Sequence, residues 1–180
     1  PFGFKELEGI HSRTDFDLKS HQKHSGRKIQ YFDPEINESY VPYVVETSIG
    51  LDRMFLTILS YSYQVEEVNG ENRLVLSIPP MLSPVKAAIL PLTKKDGLPE
   101  KAKEILTSLK FDFNCQYEEK DSIGKRYRRQ DAIGTPYCIT VDHQSLEDNT
   151  VTLRDRDTMK QERIDIEQLH SLISKKVQWN

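Results

Sequence analysis

Strand and helix signals alternate from residue 85 to the end of the chain, and this alternation constrains the fold more than any other feature. Val85–Leu92 is a continuous apolar run, as expected of a strand buried on both faces of a sheet. Leu98–Leu109 carries its apolar residues on one helical stripe, and Gly134 is placed to end a later helix. Residues 85–180 are therefore predicted to form an α/β unit with a mixed sheet of about five strands flanked by helices. The predicted strands are 85–92, 111–117, 137–142, 150–154 and 160–164, and the predicted helices are 98–109, 122–133 and 166–173, with a turn at 145–149.

The first 84 residues carry less regular signals and are predicted to form a separate domain of a few antiparallel strands and a helix. The predicted elements are a strand at 5–13, a loop or hairpin within 19–40, a short strand at 43–47 and an apolar helix at 52–64. Pro79, Pro80 and Pro84 form a plausible connector. The domain boundary is accordingly predicted between residues 84 and 85.

Composition excludes several classes of protein. With 180 residues the chain has room for one full domain and part of a second. No apolar run approaches the roughly 18 residues that a membrane span requires. Cys115 and Cys138 are too few for a multi-bridge secreted scaffold or a four-thiolate zinc site, so a reducing compartment, the cytoplasm, is expected. Because the net charge is −3, nucleic-acid binding needs a local basic patch. Pro1-Phe2-Gly3 lacks an initiator methionine, which predicts a piece of a longer protein.

The string Glu-Thr-Ser-Ile-Gly-Leu-Asp-Arg joins a predicted strand to a predicted helix. Glu46 and Ser48 alternate along the strand, so both side chains can enter one cleft and bind an amine or a carboxylate. Gly50 lets the backbone approach a ligand, and Arg53 can meet a phosphate or stack on a base. The other interpretation is that the string only caps the helix. Glu6 on its own is most simply a solvated or salt-bridged strand carboxylate.

Basic residues cluster twice in the second half. Four cations occupy five positions at 125–129, where Arg126 and Arg129 share one helical face. Arg154 and Arg156 share one face of a strand. These cations either form local ion pairs on a solvated surface or contact phosphates beside an aromatic that stacks on bases. The five histidines show no metal-ligand spacing with cysteines or acids.

Four motifs, in the expected order, resemble glycyl-tRNA synthetases of the dimeric class II type. The matching segments are 6–10 with 13–18, then 46–53, then 122–131 with 133–136, and 151–161. The second of them resembles the third signature motif of class II synthetases in its glycine-specific form. The last two resemble the same family's anticodon-binding domain. The implied architecture is the end of a class II antiparallel catalytic sheet (residues 1–84) followed by a mixed-sheet α/β anticodon-binding domain (85–180).

The resemblance implies ATP-dependent attachment of glycine to its tRNA through glycyl-adenylate, in a cytoplasmic homodimer with no tightly bound cofactor and no membrane partner. It implies an ATP site, with ATP and Mg as one substrate complex, at Glu6, Leu7, Gly50, Leu51, Asp52 and Arg53. Glu6 would contact either a magnesium ion or the nucleotide itself. It implies a glycine pocket at Glu46, Thr47, Ser48, Ile49 and Gly50, with Glu46 and Arg53 as the catalytic residues. It implies tRNA contacts at Arg126, Arg129, Arg154 and Arg156.

Two positions depart from the expected pattern. Thr47 replaces a proline, which would loosen the pocket wall, and Ala132 stands where an acid is expected. Nothing in the chain resembles the first and second class II motifs, so the isolated chain is predicted not to activate glycine. Two alternatives remain: a catalytically inactive tRNA-binding accessory protein on a synthetase scaffold, and an interaction module that binds no nucleic acid.

Overall fold

A computed structural model describes residues 3–178, so the start of the chain at Pro1 lies outside the described residues. The chain divides into two compact units, the first reaching Thr57 and the second beginning at Ile58. Below they are called the N-terminal unit and the C-terminal unit. The helix at Leu51–Ser62 spans the division. Within the described part, no helix is both long enough and apolar enough to cross a membrane.

The N-terminal unit is built from short antiparallel pairs. The strand that the alternating pattern predicts at 5–13 lies at Glu8–Thr14 and pairs with the strand at Val44–Ile49. The expected loop or hairpin within 19–40 is a hairpin only in its second part, since Phe16–Ser25 is a helix that ends at Gly26 with φ of 68°. The elements in chain order are β1 Glu8–Thr14, α1 Phe16–Ser25, β2 Tyr31–Asp33, β3 Glu38–Tyr40, β4 Val44–Ile49 and α2 Leu51–Ser62.

The helix α1 was not apparent from the sequence because it has no apolar stripe and no buried residue. Charged pairs instead join its beginning to the residues before it: Lys19 reaches Asp15 at 2.6 Å, and Arg13 of β1 reaches Asp17 at 2.8 Å. The left-handed conformation at Gly26 ends the helix as a C-terminal glycine does.

The C-terminal unit contains a five-stranded mixed sheet, which confirms the predicted fold class. The strand order is β11-β10-β9-β7-β8. The strand β7 pairs in parallel with β8 and β9, and β10 pairs antiparallel with both β9 and β11. Its elements are β5 Tyr63–Val68, β6 Glu71–Leu76, β7 Ala87–Pro91, α3 Leu98–Leu109, β8 Cys115–Tyr117, α4 Ile123–Ile133, β9 Tyr137–Val141, α5 His143–Asp148, β10 Thr150–Asp155, β11 Gln161–Asp165, a 3₁₀ turn Ile166–Gln168 and α6 Leu169–Val177.

Helices cover the two faces of this sheet unequally. On one face α3 and α6 pack with the sheet around Ala87, Ile89 and Ile139 to form the main core. On the other face α4 packs Ile123 and Tyr127 against a smaller apolar cluster. The pattern of residues 85–92 predicted this two-sided burial, and β7 is buried along its whole length.

The β5–β6 hairpin was not predicted, and it belongs to the C-terminal unit. Its Arg73 is fully buried and reaches the carboxylate of Asp131 on α4 at 2.9 Å. The compact unit therefore begins before residue 85, because a buried ion pair fastens the hairpin to the following elements. The assignment of residues 1–84 and 85–180 to two functional domains stays a prediction.

Candidate functional site

One face of the β1–β4 ladder gathers polar side chains. Glu46 lies opposite His11, and Ser48 lies opposite Gly9. Residues directly opposite each other in an antiparallel pair project to the same face, so these four positions share a face. Glu46 and Ser48 are half-buried, whereas the β4 residues between and after them are exposed. The structure thus brings Glu46 and Ser48 together, as their alternation predicts.

Thr47 and Ile49 belong to the opposite face of the same strand. In the glycine pocket that the resemblance implies, they would stand beside Glu46 and Ser48. In β4 the burial alternates, and both residues are exposed. Because strand side chains alternate between faces, neither Thr47 nor Ile49 lies on the face of Glu46 and Ser48.

Arg13 is a charged neighbour of Glu46 that the predicted site does not include. Its Nε lies 3.3 Å from Glu46 Oε2. The same guanidinium donates two hydrogen bonds to Asp17, at 2.8 and 3.0 Å. These bonds lower the pKa of Asp17. Glu46 therefore has a cation beside it before any ligand binds, and an ammonium group would share its carboxylate with Arg13.

His11 was also missed, although the alternation in the first strand indicates it. It lies two positions from Gly9 on the face that carries Glu46. A Cβ on Gly9 would lie 2.4 Å from His11 Nε2, so only glycine leaves room for the ring in this conformation. The signal that could have found both His11 and Arg13 is the period of two, extended across the antiparallel partner strand.

The segment before β1 is tied to the start of α2. Arg53 Nη1 donates to the carbonyl of Glu6 at 2.7 Å. The amide of Gly50 donates to the carbonyl of Leu7 at 3.4 Å. A Cβ on Gly50 would lie 3.3 Å from Arg53 Cδ, so a side chain there would press on the arginine. The structure therefore brings together four of the residues for which the resemblance implies an ATP site.

The other two residues of the implied ATP site are Leu51 and Asp52. Both lie in the first turn of α2 and are exposed. An exposed Glu6 carboxylate is a single oxygen donor group, and within the described residues no cluster of three His, Cys, Asp or Glu side chains could hold a metal ion. A magnesium ion at Glu6 would therefore have to arrive with further oxygen ligands from nucleotide phosphates.

Three of the four arginines for which the resemblance implies tRNA contacts are buried in the C-terminal unit. Arg126 is 1% exposed, and its guanidinium donates to the carbonyls of Pro91, Glu118 and Leu92. Arg154 and Arg156 are 5% and 2% exposed. In this conformation no RNA phosphate can reach these three side chains.

Arg154 and Arg156 are held by internal partners. Arg154 donates to both carboxylate oxygens of Asp131, at 2.8 and 3.0 Å, and its guanidinium carbon lies 4.7 Å from the centre of the Tyr127 ring. Arg156 donates to the carbonyls of Gly134 and Ile78 and to the carboxylate of Asp157. Asp131 also accepts from Arg73. One buried carboxylate thus pairs with two buried guanidinium groups, and Glu66 supplies Arg73 with a second acid at 2.7 Å.

Arg129 is the member of the four with an accessible side chain, which is 41% exposed. It pairs with Glu118 and with Asp121, the latter at 3.0 Å. It also donates to the carbonyl of Lys120 at 2.7 Å. Its guanidinium therefore holds the loop between β8 and α4 and still reaches solvent.

Exposed lysines surround the carboxyl ends of the parallel strands, and sequence reasoning did not select them. Lys94 and Lys95 are exposed in the loop between β7 and α3, residues 92–97. Lys120 is exposed in the loop between β8 and α4, residues 118–122. Lys125 is exposed in the first turn of α4. Acidic residues lie among them, so the edge is of mixed charge.

Comparison with known proteins matches both parts of the chain. The family described as "Anticodon binding domain" matches residues 86–176. The chain is 54% identical over 177 residues to the glycine–tRNA ligase of Chlorobaculum tepidum and 55% identical over 180 residues to that of Clostridium tetani. These matches cover 98% and 99% of the chain but 38% of each relative, so the chain spans about two fifths of their length.

A solved structure shares the fold. The RNA binding domain of threonyl-tRNA synthetase from Cryptosporidium parvum matches with a TM-score of 0.70. The match covers 96% of the chain and 39% of that protein, at 23% identity.

Proposed function

The chain belongs to the anticodon binding domain family, and from this membership we propose that it is part of a glycine–tRNA ligase. In this proposal the longer protein uses ATP to attach glycine to its tRNA. The C-terminal unit binds the anticodon region of the tRNA, and the N-terminal unit supplies part of the ATP and glycine site. The naming of the relatives as glycine–tRNA ligases supports the choice of amino acid.

One observation supports the activation half of this proposal most directly. A polar face with Glu46 and Ser48 lies on the strand that leads into α2, and Arg53 on α2 is bonded to the backbone of Glu6. A carboxylate for an ammonium and a guanidinium for a phosphate thus stand at the two ends of one short strand–helix connection. In the proposed site the first group holds the glycine ammonium and the second contacts the ATP phosphates.

The proposed reaction needs no protein nucleophile. The glycine carboxylate attacks the α-phosphate of ATP, and pyrophosphate leaves. Glu46 accepts hydrogen bonds from the glycine ammonium, Ser48 supports the substrate, and Arg53 contacts the ATP phosphates. The protein contributes position and charge neutralisation. A hydroxyl at the 3′ end of the tRNA then attacks the activated carbonyl and releases AMP.

ATP arrives with magnesium as one substrate complex, and Glu6 would contact the ion or the nucleotide. Both glycine and ATP are substrates of the longer protein, which we propose to act as a cytoplasmic homodimer. Thr47 does not loosen the Glu46 face directly, since its side chain projects to the other face of β4. Ala132 stands where a second acid is expected, and the buried arginines Arg73 and Arg154 instead share the preceding residue, Asp131.

The anticodon loop is proposed to bind at the carboxyl ends of β7 and β8. After β7 the chain passes to α3 on one face of the sheet, and after β8 it passes to α4 on the other. Ligands of open α/β sheets bind in a crevice outside the carboxyl ends of the strands. Lys94, Lys95 and Lys120 lie exposed in the two loops that border the crevice.

Binding of labelled anticodon stem-loops to the 180-residue chain tests this function. The stem-loop of a glycine tRNA should bind more tightly than the same stem-loop with its anticodon bases replaced. Equal affinities would reject anticodon recognition. Anticodon-dependent binding together with a longer protein that forms no glycyl-adenylate would point instead to an inactive tRNA-binding protein.

A further inference from the structure

Arg126 occupies the point where the connections of β7 and β8 diverge. Its Nη1 donates to Pro91 O at 2.7 Å and to Glu118 O at 3.2 Å, and its Nη2 donates to Leu92 O at 3.2 Å. Pro91 is the last residue of β7, and Glu118 follows the last residue of β8. One guanidinium therefore joins the starts of both loops that border the proposed anticodon site.

The bonding of Arg126 differs from that of the other buried arginines. Arg73, Arg154 and Arg156 each contact a carboxylate. Arg126 makes no carboxylate contact among the described residues, its partners are neutral carbonyls, and its Nε has no partner there. Burial lowers its pKa, and the nearby charge of Glu118 offsets this only in part. A buried cation with no carboxylate in contact costs stability, so packing alone does not explain an arginine at this position.

Arg129 acts one helical turn later on the second loop. Its Nη2 donates to Lys120 O at 2.7 Å, and its Nη1 reaches Asp121 Oδ2 at 3.0 Å. Asp121 has φ of 69°, a left-handed conformation that a non-glycine residue adopts at some cost. The loop that carries Lys120 is thus held in a specific shape by α4.

We propose that Arg126 and Arg129 are positioning residues, which fix the loops 92–97 and 118–122 so that Lys94, Lys95 and Lys120 face the anticodon loop. The inference rests on the proposed function, since it assumes that RNA binds at this edge. It assigns Arg126 an indirect role, through the loops, in place of a phosphate contact. It predicts that the loss of Arg126 weakens anticodon binding because the lysines of the two loops lose their positions.

The first experiment compares Arg126→Gln with Arg73→Gln in the full 180-residue chain. Arg73 is equally buried but belongs to the β5–β6 hairpin and holds neither loop. Both variants should unfold at lower temperature. At a temperature where both are folded, Arg126→Gln should weaken binding of the glycine tRNA stem-loop about tenfold, the loss expected for misplaced charged contacts. Arg73→Gln should stay within about twofold of wild type.

Two further readouts separate positioning from other roles. Amide hydrogen exchange should become faster in residues 92–97 and 118–122 of Arg126→Gln and stay unchanged there in Arg73→Gln. The slope of log affinity against log salt should fall in Arg126→Gln by about 0.7–0.9 for each lysine contact that is lost with the loops. Weakened binding with amide exchange unchanged in both loops would overturn the inference in favour of direct contact.

Asp121→Asn provides a test that does not depend on a buried residue. Asparagine accepts the same left-handed backbone, so the substitution removes one of the two carboxylate charges that hold Arg129, the other being Glu118. At about 0.2 M salt long-range charge effects are mostly screened. If Arg129 acts through the loop, both Asp121→Asn and Arg129→Gln weaken binding. If Arg129 contacts phosphate directly, Asp121→Asn loosens its hold on the loop and tightens binding, which would overturn its assigned role.

Failure of the inference and failure of the proposed function give different results. A wild-type chain that does not distinguish the glycine anticodon from an altered one defeats both. Anticodon-dependent binding that Arg126→Gln retains within about twofold leaves the function standing and overturns the positioning role. The same holds if Arg126→Gln and Arg73→Gln lose affinity in equal measure, since that loss would follow from general destabilisation.

Discussion

The two units use their charged residues in opposite ways. In the C-terminal unit Arg73, Arg126 and Arg156 are almost inaccessible, and their hydrogen bonds connect secondary-structure elements. In the N-terminal unit Arg53 and Glu46 stay accessible beside short antiparallel strands, and no described apolar residue up to Thr57 is buried. A two-stranded ladder is too small to bury either of its faces. Among the described residues, charge therefore supports the fold in one unit and stays accessible in the other.

This difference shows why a cluster of arginines is a poor guide to an RNA surface. A guanidinium can be buried when a carboxylate and several carbonyls accept its five donors. Asp131 supplies such a carboxylate for Arg73 and Arg154. Lysines, whose compact charge is strongly hydrated, remain at the surface of the same unit, as Lys94 and Lys120 do. The exposed lysines are therefore better candidates for phosphate contacts than the buried arginines.

The largest effect is expected when the buried network of the C-terminal unit loses its acid. Asp131→Asn removes the charge that faces Arg73 and Arg154, all of them inaccessible to water. Breaking a buried ion pair from one side typically costs about 3–5 kcal/mol. Urea unfolding followed by circular dichroism should show this loss in the free energy of unfolding.

The matched control for Asp131→Asn lies in the other unit. Glu46→Ala also removes an acid that has an arginine partner, but this pair is exposed to water. Its effect on the unfolding of the C-terminal unit should stay below about 0.5 kcal/mol. A loss of less than about 1 kcal/mol in Asp131→Asn would contradict the structural role of the network.

The second prediction concerns the accessible acid as a ligand group. In the proposed longer ligase Glu46→Ala should raise the Michaelis constant for glycine, because the bound ammonium loses an ionic hydrogen bond. The expected cost is about 2–4 kcal/mol, or a factor of about 30 to 1000 in catalytic efficiency. Arg53→Ala should mainly damage the use of ATP. Steady-state kinetics with each substrate varied separately would show the split.

Glu8→Ala is the control for this assignment, since Glu8 lies on the same ladder opposite Ile49 and projects to the other face. Its glycine efficiency should remain near that of wild type. If Glu46→Ala stayed within about threefold of wild type, the pocket would have to lie elsewhere. Equal losses in both variants would indicate damage to the ladder instead of loss of a ligand contact.

A smaller effect is expected from Asp142, a half-buried acid in an ion pair that is partly accessible to water. Asp142 caps α5 and accepts two hydrogen bonds from Arg163, at 2.6 and 2.9 Å. These bonds lower the pKa of Asp142 below its ordinary value of 3.8. A lowered folded-state pKa stabilises the protein above the unfolded-state value, and the contribution is lost as the pH falls through the folded-state value.

Asp142→Asn keeps a side chain that can cap the helix but removes the ionic pair. Between pH 7 and pH 2 the wild-type chain should therefore lose about 1 kcal/mol more stability than the variant. Denaturant unfolding at a series of pH values would measure it. Parallel curves for the two proteins would show that Arg163 contributes nothing through the charge of Asp142.

The fold was largely predictable where local pattern and tertiary packing agree. The bounds of α3 at Leu98–Leu109 and the end of α4 at Gly134 follow from apolar period and glycine conformation. The sequence predicts a turn at 145–149 where the structure has the helix α5, because six residues are too few to show a periodic pattern. The β5–β6 hairpin was missed because its reason to form, the contact of Arg73 with Asp131, joins residues far apart in sequence.

The candidate site was predictable only in part for a related reason. The period of two within β4 places Glu46 and Ser48 together, but only the pairing of β4 with β1 reveals that Arg13 approaches Glu46 from the partner strand. Likewise, helical spacing places Arg126 and Arg129 on one face of α4 but does not predict which of the two side chains is exposed to solvent. Exposure depends on partners such as the carbonyl of Pro91, which no pattern within α4 indicates.

The smallest predicted effect separates the exposed lysines from one another by their place on the sheet. Lys120 lies in the loop after β8, at the proposed anticodon site, whereas Lys110 follows α3 at the opposite end of the strands. Removing one phosphate contact from a single-stranded loop should reduce the slope of log affinity against log salt by about 0.7. Lys120→Ala should show this change and bind the stem-loop roughly threefold more weakly at moderate salt, while Lys110→Ala changes neither quantity. Fluorescence anisotropy over a salt series measures both. If Lys110→Ala lowered the slope and Lys120→Ala did not, the RNA would bind at the amino ends of the strands, and the loops held by Arg126 and Arg129 would face no ligand.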